Sequence, residues 1–330
     1  MKTFTKILGG LLLLVVLFIS GALVYVSTAL PNVEPAPNLT IELTPERIER
    51  GEFLAKNVYV CMDCHSDRDY SRFGLDSDET TLGKGGNLFG LEAGFPGDYY
   101  AKNLTPYYLS DWTDGEIFRA ITSGVSKDGH ALFPIMPYTN YRRVDKKDVY
   151  DIIAYLRTLE PIEHDVLASS SAFPMNFIIN TIPSEPEFVE KPDINDRVAY
   201  GKYLTIAGSC ADCHTPIDDK GTPLSGMQFA GGMDFGIPTG GTVYSANITP
   251  HETTGIGSWT EEMFIARFKQ FEDSTNIINQ TMIEPGTFQT EMPWRFYSKM
   301  SEEDLGAIFA YLQTLEPVEH TMTRFVAEAE

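Results

Sequence analysis

Cys61-Met62-Asp63-Cys64-His65 and Cys210-Ala211-Asp212-Cys213-His214 contain all four cysteines of the chain. The two pentapeptides sit inside a longer repeat. Upstream, Gly51-Glu52-Phe53-Leu54 matches Gly201-Lys202-Tyr203-Leu204. Downstream, Asn103-Leu104-Thr105-Pro106 matches Asn247-Ile248-Thr249-Pro250, and Trp112-Thr113 matches Trp259-Thr260. Met136-Pro137-Tyr138 then matches Met292-Pro293-Trp294. Last, Tyr155-Leu156-Arg157-Thr158-Leu159-Glu160-Pro161 matches Tyr311-Leu312-Gln313-Thr314-Leu315-Glu316-Pro317. Landmarks in one order, met twice, mark a duplicated domain. The expected divisions are a membrane anchor or signal segment over 1–30, a spacer over 31–42, a first domain over 43–165, a linker over 166–192, a second domain over 193–322 and a tail over 323–330.

Each copy reads as mainly α. Val149, Ile152, Ile153, Leu156 and Leu159 follow the i, i+3, i+4, i+7 rule of an amphipathic helix, as do Leu305, Ile308, Phe309, Leu312 and Leu315. Asp145 is placed to cap the first of these helices, and Ser301 with Asp304 resembles a capping box for the second. A proline closes each. Further helices are expected from Thr113, with Glu116 in its first turn, and from Thr260. Others are expected over Arg47–Lys56 and Arg197–Ile206, just ahead of the cysteine pairs. The glycine-rich stretches Gly83–Gly97 and Gly226–Gly241 read as loops or short hairpins.

Cys-x-x-Cys-His is the pattern of c-type haem attachment. Thiols two residues apart reach the two vinyl groups of one porphyrin and form thioethers, and the following histidine lies under the iron as proximal ligand. Cys61, Cys64, Cys210 and Cys213 are therefore expected to hold two haem c groups covalently, with His65 and His214 on the irons. A four-cysteine zinc ribbon needs its pairs roughly 15–20 residues apart, and the two pairs here are far more distant. A thioredoxin-like motif needs a βαβ context, which is missing, and a disulfide would not need the histidine twice.

The distal ligand of the first iron follows by elimination, because Met136 is the single methionine between His65 and Met175. A thioether is a soft axial ligand that raises the haem potential. The second copy offers Met227, Met233, Met263, Met282, Met292 and Met300, and of these Met292 holds the place equivalent to Met136. His130 and His251 are rival ligands without counterparts in the other copy. His164 and His320 do match each other, but follow the last helix and read as surface groups. Trp112 and Trp259 are candidates either for a propionate hydrogen bond or for packing at a helix start.

Lys2 and Lys6 precede an apolar run from Ile7 to about Val26, with no acidic residue before Glu34. An export signal has an apolar core of roughly 7–15 residues, and this run is long enough for a membrane-spanning helix. An uncleaved anchor is the preferred reading, with the lysines on the cytoplasmic side. A signal cleaved after Ser27-Thr28-Ala29 is the alternative. Either way the rest of the chain is expected on the periplasmic, extracytoplasmic side of the cytoplasmic membrane. Three prolines in residues 31–40 suggest a stiff spacer off that membrane. The net charge of −21 argues against nucleic-acid binding, which needs a basic footprint.

The order of these motifs resembles the class I cytochrome c fold, and more narrowly the haem domains of the cytochrome subunits that serve membrane-bound alcohol and gluconate dehydrogenases. The resemblance covers about residues 43 to 322. It implies two tandem class I cytochrome c domains after an N-terminal transmembrane helix, with the same cysteine, histidine and methionine ligands. It also implies that Gly51 and Gly201, with Tyr155 and Tyr311, lie where the first and last helices of each domain cross. Those subunits usually hold three haem domains, whereas this chain holds two. The expected role is an electron carrier between a dehydrogenase or quinol-oxidising complex and an acceptor such as a terminal oxidase or a soluble cytochrome. The alternative is a dihaem redox enzyme, peroxidase-like or thiosulfate-oxidising, which needs an open or labile iron position.

Overall fold

A computed structural model describes residues 2–74, 76–219 and 221–327. Met1, at the start of the expected anchor, and 328–330, at the end of the expected tail, lie outside the described residues, as do Leu75 and Lys220 within the repeats. The helices are α1 (Lys2–Thr28), α2 (Pro45–Phe53), α3 (Cys61–His65), α4 (Pro106–Leu109), α5 (Asp114–Ser123), α6 (Tyr138–Tyr141), α7 (Lys146–Leu156) and α8 (Met175–Ile178). They continue as α9 (Arg197–Ala207), α10 (Cys210–His214), α11 (Glu261–Lys269), α12 (Ile277–Gln280), α13 (Trp294–Tyr297) and α14 (Glu302–Leu312). Short strands form hairpins in both glycine-rich stretches, pairing Leu88–Phe89 with Gly97–Tyr100 and Asp234–Gly236 with Thr242–Tyr244.

Local chemistry explains where the helices begin. Thr113 and Glu116 form a reciprocal capping box on α5, and Ser301 and Asp304 form one on α14. Each box satisfies two backbone amides that would otherwise lack partners. The Asp145 carboxylate accepts from the Lys147 amide at 2.9 Å and opens α7.

In each repeat the first helix crosses the last at a glycine. A Cβ on Gly51 would stand 1.8 Å from the Asp151 carbonyl oxygen, and one on Gly201 would stand 1.8 Å from that of Ala307. Tyr155 Cβ lies 3.0 Å from the same point beside Gly51. No side chain larger than hydrogen fits between backbones this close.

The expected helix over Arg47–Lys56 is not regular. α2 ends at Phe53 and runs into one π-helical turn, Leu54–Val58. The Tyr59 amide donates five residues back to the Leu54 carbonyl at 2.9 Å. At the equivalent place in the second repeat, the Gly208 amide donates four residues back to Leu204 at 2.8 Å. The first repeat has one residue more between its glycine and its cysteines. A π turn absorbs a single inserted residue without shifting the ends of the helix, so Gly51 and Cys61 keep the relation that Gly201 and Cys210 have.

Buried residues of both repeats make one continuous cluster, running through Leu54, Val58, Met62, Ile152 and Ile153 to Leu204, Met300, Leu305 and Leu312. The contact between the repeats is reciprocal. α6 of the first packs on α9 of the second, and α13 of the second packs on the π turn of the first. Tyr203 Oη donates to the buried Asp148 carboxylate at 2.7 Å and accepts from the Asp145 amide at 3.1 Å. The fully buried Gln289 donates to the Arg72 carbonyl at 2.8 Å and accepts from the Gly74 amide at 3.1 Å.

The segment over 31–42 is extended, but it does not stand off as a spacer. It is strapped to the first repeat. A Cβ on Gly115 would lie 1.8 Å from the Pro37 carbonyl oxygen, and the Ile41 amide donates to Asp114 Oδ2 at 2.8 Å. Prolines lack the amide that a sheet or helix would use; here they let the strap run flat across the start of α5. The linker also returns to the first repeat, where the Glu187 amide donates to the Arg142 carbonyl at 2.8 Å and Phe188 meets Phe118 with ring centroids 5.5 Å apart.

α1 is apolar over Thr3–Thr28, a span of 26 residues whose most apolar window is not buried in the protein. At 1.5 Å per residue such a helix is roughly 40 Å long, enough to cross a hydrocarbon core of about 30 Å.

Candidate cofactor sites

α3 and α10 each carry one Cys-x-x-Cys-His motif, and each is entered through a left-handed residue, Val60 at φ 51° and Ser209 at φ 53°. A non-glycine residue in that region is uncommon and needs its surroundings to hold it. A tyrosine supplies part of the hold. Tyr141 Oη donates to the Tyr59 carbonyl at 2.9 Å, and Tyr297 Oη donates to the Gly208 carbonyl at 2.7 Å. Both tyrosines follow the methionine of their repeat at the same spacing, so one bond ties the methionine loop to the entrance of the cysteine motif.

The histidines are oriented identically. His65 Nδ1 lies 2.6 Å from the Lys102 carbonyl, and His214 Nδ1 lies 2.7 Å from that of Ala246. A carbonyl only accepts, so Nδ1 carries the proton and Nε2 keeps its lone pair. Burial lowers both imidazole pKa values, which favours the neutral ring. The loop facing each histidine is glycine by necessity. Gly85 has φ 72° and its Cβ would stand 2.5 Å from the Lys102 carbonyl carbon; Gly231 has φ 71° and its Cβ would stand 2.3 Å from that of Ala246.

The four thiols are unpaired. Desolvation pushes Cys61 and Cys210 up to about 12 and Cys64 up to about 11. Burial in apolar surroundings thus disfavours their thiolate form. Among the described residues, no three His, Cys, Asp or Glu side chains gather into a metal-binding group, so the geometry gives no support to zinc.

Met136 and Met292 are half-buried and border the core cluster, as do Cys61 and Cys210. The proline after each methionine is the centre of an inverse γ-turn, with φ −80° and ψ 48° at Pro137 and φ −78° and ψ 62° at Pro293. The amide two residues after the methionine donates to the methionine carbonyl at 2.7 Å in both copies. Proline fixes φ for this turn, which gives the Met-Pro-aromatic pattern a conformational reason.

These residues fit haem c in both repeats: paired thiols on a short helix, a neutral imidazole with Nε2 free, and a methionine on a fixed turn. The rival histidines have other positions. His130 is exposed, and His251 Nδ1 accepts from the Thr254 amide at 3.2 Å within its own loop. His164 and His320 are half-buried, not simple surface groups. A Cβ on Gly86 would meet His164 Nε2 at 2.8 Å, while His320 Nδ1 lies 3.0 Å from the Ala230 carbonyl. They rest on the glycine loops that face His65 and His214. Trp112 and Trp259 pack against the core cluster.

The two sites are joined through side chains that the motifs do not reveal. Arg68 Nη2 meets Asp63 Oδ2 at 2.5 Å, inside the first cysteine motif, and Arg68 Nη1 meets Glu291 Oε2 at 3.3 Å, beside Met292. In the other direction, Asn140 Nδ2 donates to Asp212 Oδ2 at 2.8 Å, inside the second cysteine motif. Asp212 thus meets a polar side chain near the methionine of the other repeat directly, whereas Asp63 is linked to Glu291 through Arg68 of its own repeat. The recurrence of Asp63 and Asp212 was visible in sequence; their partners were not.

No family model matches the chain. The chain is 26% identical over 289 residues to the cytochrome c subunit of a quinone alcohol dehydrogenase from Gluconacetobacter polyoxogenes, covering 82% of this chain and 56% of that one. It is 27% identical over 299 residues to a diheme cytochrome c-type protein from Cereibacter sphaeroides, covering 87% of this chain and 92% of that one. Over 115 residues it is 36% identical to the cytochrome c subunit of gluconate 2-dehydrogenase from Pantoea cypripedii, covering 34% of this chain and 22% of that one. The chain therefore spans about half the length of the alcohol dehydrogenase subunit that it matches. It resembles a dihaem cytochrome and the cytochrome c subunits of sugar and alcohol dehydrogenases.

Proposed function

We propose that this chain is a membrane-tethered dihaem c-type cytochrome that carries electrons outside the cytoplasmic membrane, between a dehydrogenase or quinol-oxidising complex and an acceptor. The observation that carries this reading is the double occurrence of one constellation: two thiols, a histidine held by a backbone carbonyl, and a methionine on a proline turn. Haem c supplies a one-electron ferric–ferrous couple when bound. Cys61 with Cys64, and Cys210 with Cys213, are assigned to covalent attachment. His65 and His214 are assigned as proximal ligands, and Met136 and Met292 as distal ones. A chain that supplies both axial ligands at each site leaves no place for substrate, which favours a carrier over a peroxidase-like or thiosulfate-oxidising enzyme. The Arg68 and Asn140 contacts support a fixed relation between the two sites. α1 supports the tether, and the dehydrogenase-subunit relatives support a dehydrogenase as electron donor.

Haem should remain with the denatured polypeptide, two per chain, because thioethers survive unfolding. A redox titration should resolve two one-electron couples, and the reduced protein should bind carbon monoxide poorly. Haem that is lost on denaturation would overturn the attachment sites. Ready carbon monoxide binding by the unmodified protein would overturn the carrier reading in favour of an enzyme. Co-purification from membranes with a dehydrogenase identifies the donor.

A further inference from the structure

The linker between the repeats is unlike the rest of the chain. No Asp, Glu, Lys, Arg or His occurs from Val166 to Ser184, although 22% of the whole sequence is charged. Ile179 is buried, but other large apolar side chains of the segment are not spent on a core. Phe173 is 80% exposed, Leu167 66% and Ile178 45%. Large apolar side chains left this exposed, in a segment without charge, call for something to cover them.

The covering phase is indicated by the neighbour of this segment. α8 and the turn that follows it, Ile179–Thr181, pack against α1. The Asn180 side-chain amide donates to the Val26 carbonyl at 3.4 Å, at the C-terminal end of α1. That end is where a membrane-spanning α1 would leave the hydrocarbon, so the linker lies at the depth of the headgroups. An acidic protein of net charge −21 is repelled by anionic lipid over most of its surface, and the uncharged linker escapes that repulsion.

We infer that residues 166–184 form a second membrane contact, an interfacial segment that inserts Leu167, Phe173 and Ile178 among the lipid headgroups beside α1. The occupant is the bilayer itself. This rests on the reading of α1 as a membrane anchor. Insertion of such a segment reaches roughly 5–10 Å into the headgroup and acyl boundary. Together with α1 it holds the first repeat against the membrane at two points, which removes the freedom that a single tether leaves.

The test uses the full-length holoprotein in vesicles of phosphatidylcholine and phosphatidylglycerol. Its native cysteines are consumed by haem, so a single new thiol can carry an environment-sensitive fluorophore. Phe173→Cys and Leu14→Cys are labelled separately, and Leu167→Cys replaces Phe173→Cys if the latter does not fold. Lipids carry a nitroxide quencher either near the headgroup or near the chain end. The expected result is strong quenching at 173 by the shallow quencher and weaker quenching by the deep one, with Leu14→Cys quenched throughout. Quenching at 14 with water-like, unquenched emission at 173 overturns the inference and leaves the anchor standing. A label at 173 shielded from water yet unquenched also overturns it, because a protein surface then covers the segment. Loss of quenching at both positions overturns the anchor reading, and the inference with it.

Discussion

Gly85→Ala tests whether the proximal histidine is positioned by a wedge of backbone. Gly85 has φ 72°, and the added Cβ would stand 2.5 Å from the Lys102 carbonyl carbon and 2.6 Å from its oxygen. Carbon atoms in contact prefer about 3.5–4.0 Å, so the segment carrying Lys102 must retreat by about 1 Å. The left-handed conformation costs an alanine about 1–2 kcal/mol, and overpacking adds about 1–3 kcal/mol. Gly94→Ala separates the two costs: Gly94 has φ 84°, but its Cβ would meet nothing within 4 Å. The expected loss is thus roughly 2–5 kcal/mol for Gly85→Ala and about 1–2 kcal/mol for Gly94→Ala. At about 2–4 °C per kcal/mol, the melting temperature, followed by circular dichroism, should fall several degrees further in the first variant. The retreating carbonyl is the one that holds His65 Nδ1 at 2.6 Å. One of the two haem potentials should therefore shift in Gly85→Ala and stay unchanged in Gly94→Ala. Equal melting losses, or potentials unmoved in both, would refute the wedge.

Met136→Ala removes the soft sulfur assigned to the first site, so one potential should fall and carbon monoxide should bind at that site alone; Met292→Ala should do the same at the other. A spectrum unchanged by Met292→Ala would mean that the repeat alignment misplaces the second ligand. Arg68→Ala strands Asp63 and Glu291 beside each other in a largely buried contact. Breaking one side of a buried charge pair costs about 3–5 kcal/mol, and melting curves should show Arg68→Lys recovering part of it. Desolvation raises the Asp151 carboxyl although Arg47 opposes it. A raised folded pKa means the stabilisation is complete below the unfolded value, about 3.9, and is lost as pH rises through the folded one. Asp151→Asn should therefore gain in melting temperature relative to the parent as pH is raised from about 3.5 to about 6; an opposite trend would assign the pair to net stabilisation by Arg47.

The parts legible in the sequence are those whose chemistry is local to the chain. Cys61 to His65 and Cys210 to His214 carry the pattern proposed for attachment and proximal ligation within five consecutive residues. Met136-Pro137 and Met292-Pro293 stand out because proline sets the turn that each methionine occupies. The capping residues Thr113, Asp145 and Ser301 each bond an amide two or three positions away, and the helices they open were expected where they occur. The crossing at Gly51 and Gly201 was expected through resemblance, while the spacing that forces glycine there is a matter of distance between backbones.

What tertiary structure alone decided are the contacts between positions distant in sequence. The acceptors that orient His65 and His214 are the carbonyls of Lys102 and Ala246, and a backbone carbonyl leaves no trace in residue identity. Arg68 reaches Glu291, and Asn140 reaches Asp212, only because the repeats pack reciprocally. His164 and His320 read as surface groups from their position after the last helix, yet both rest on glycine loops. The proline-rich segment reads in sequence as a stiff spacer, whereas in the fold Pro37 lies against Gly115. The chain thus dictates bonds and turns made within a few residues, where backbone geometry limits the choice. Which surfaces meet is left to burial of the shared core, a sum over many side chains that no short motif encodes.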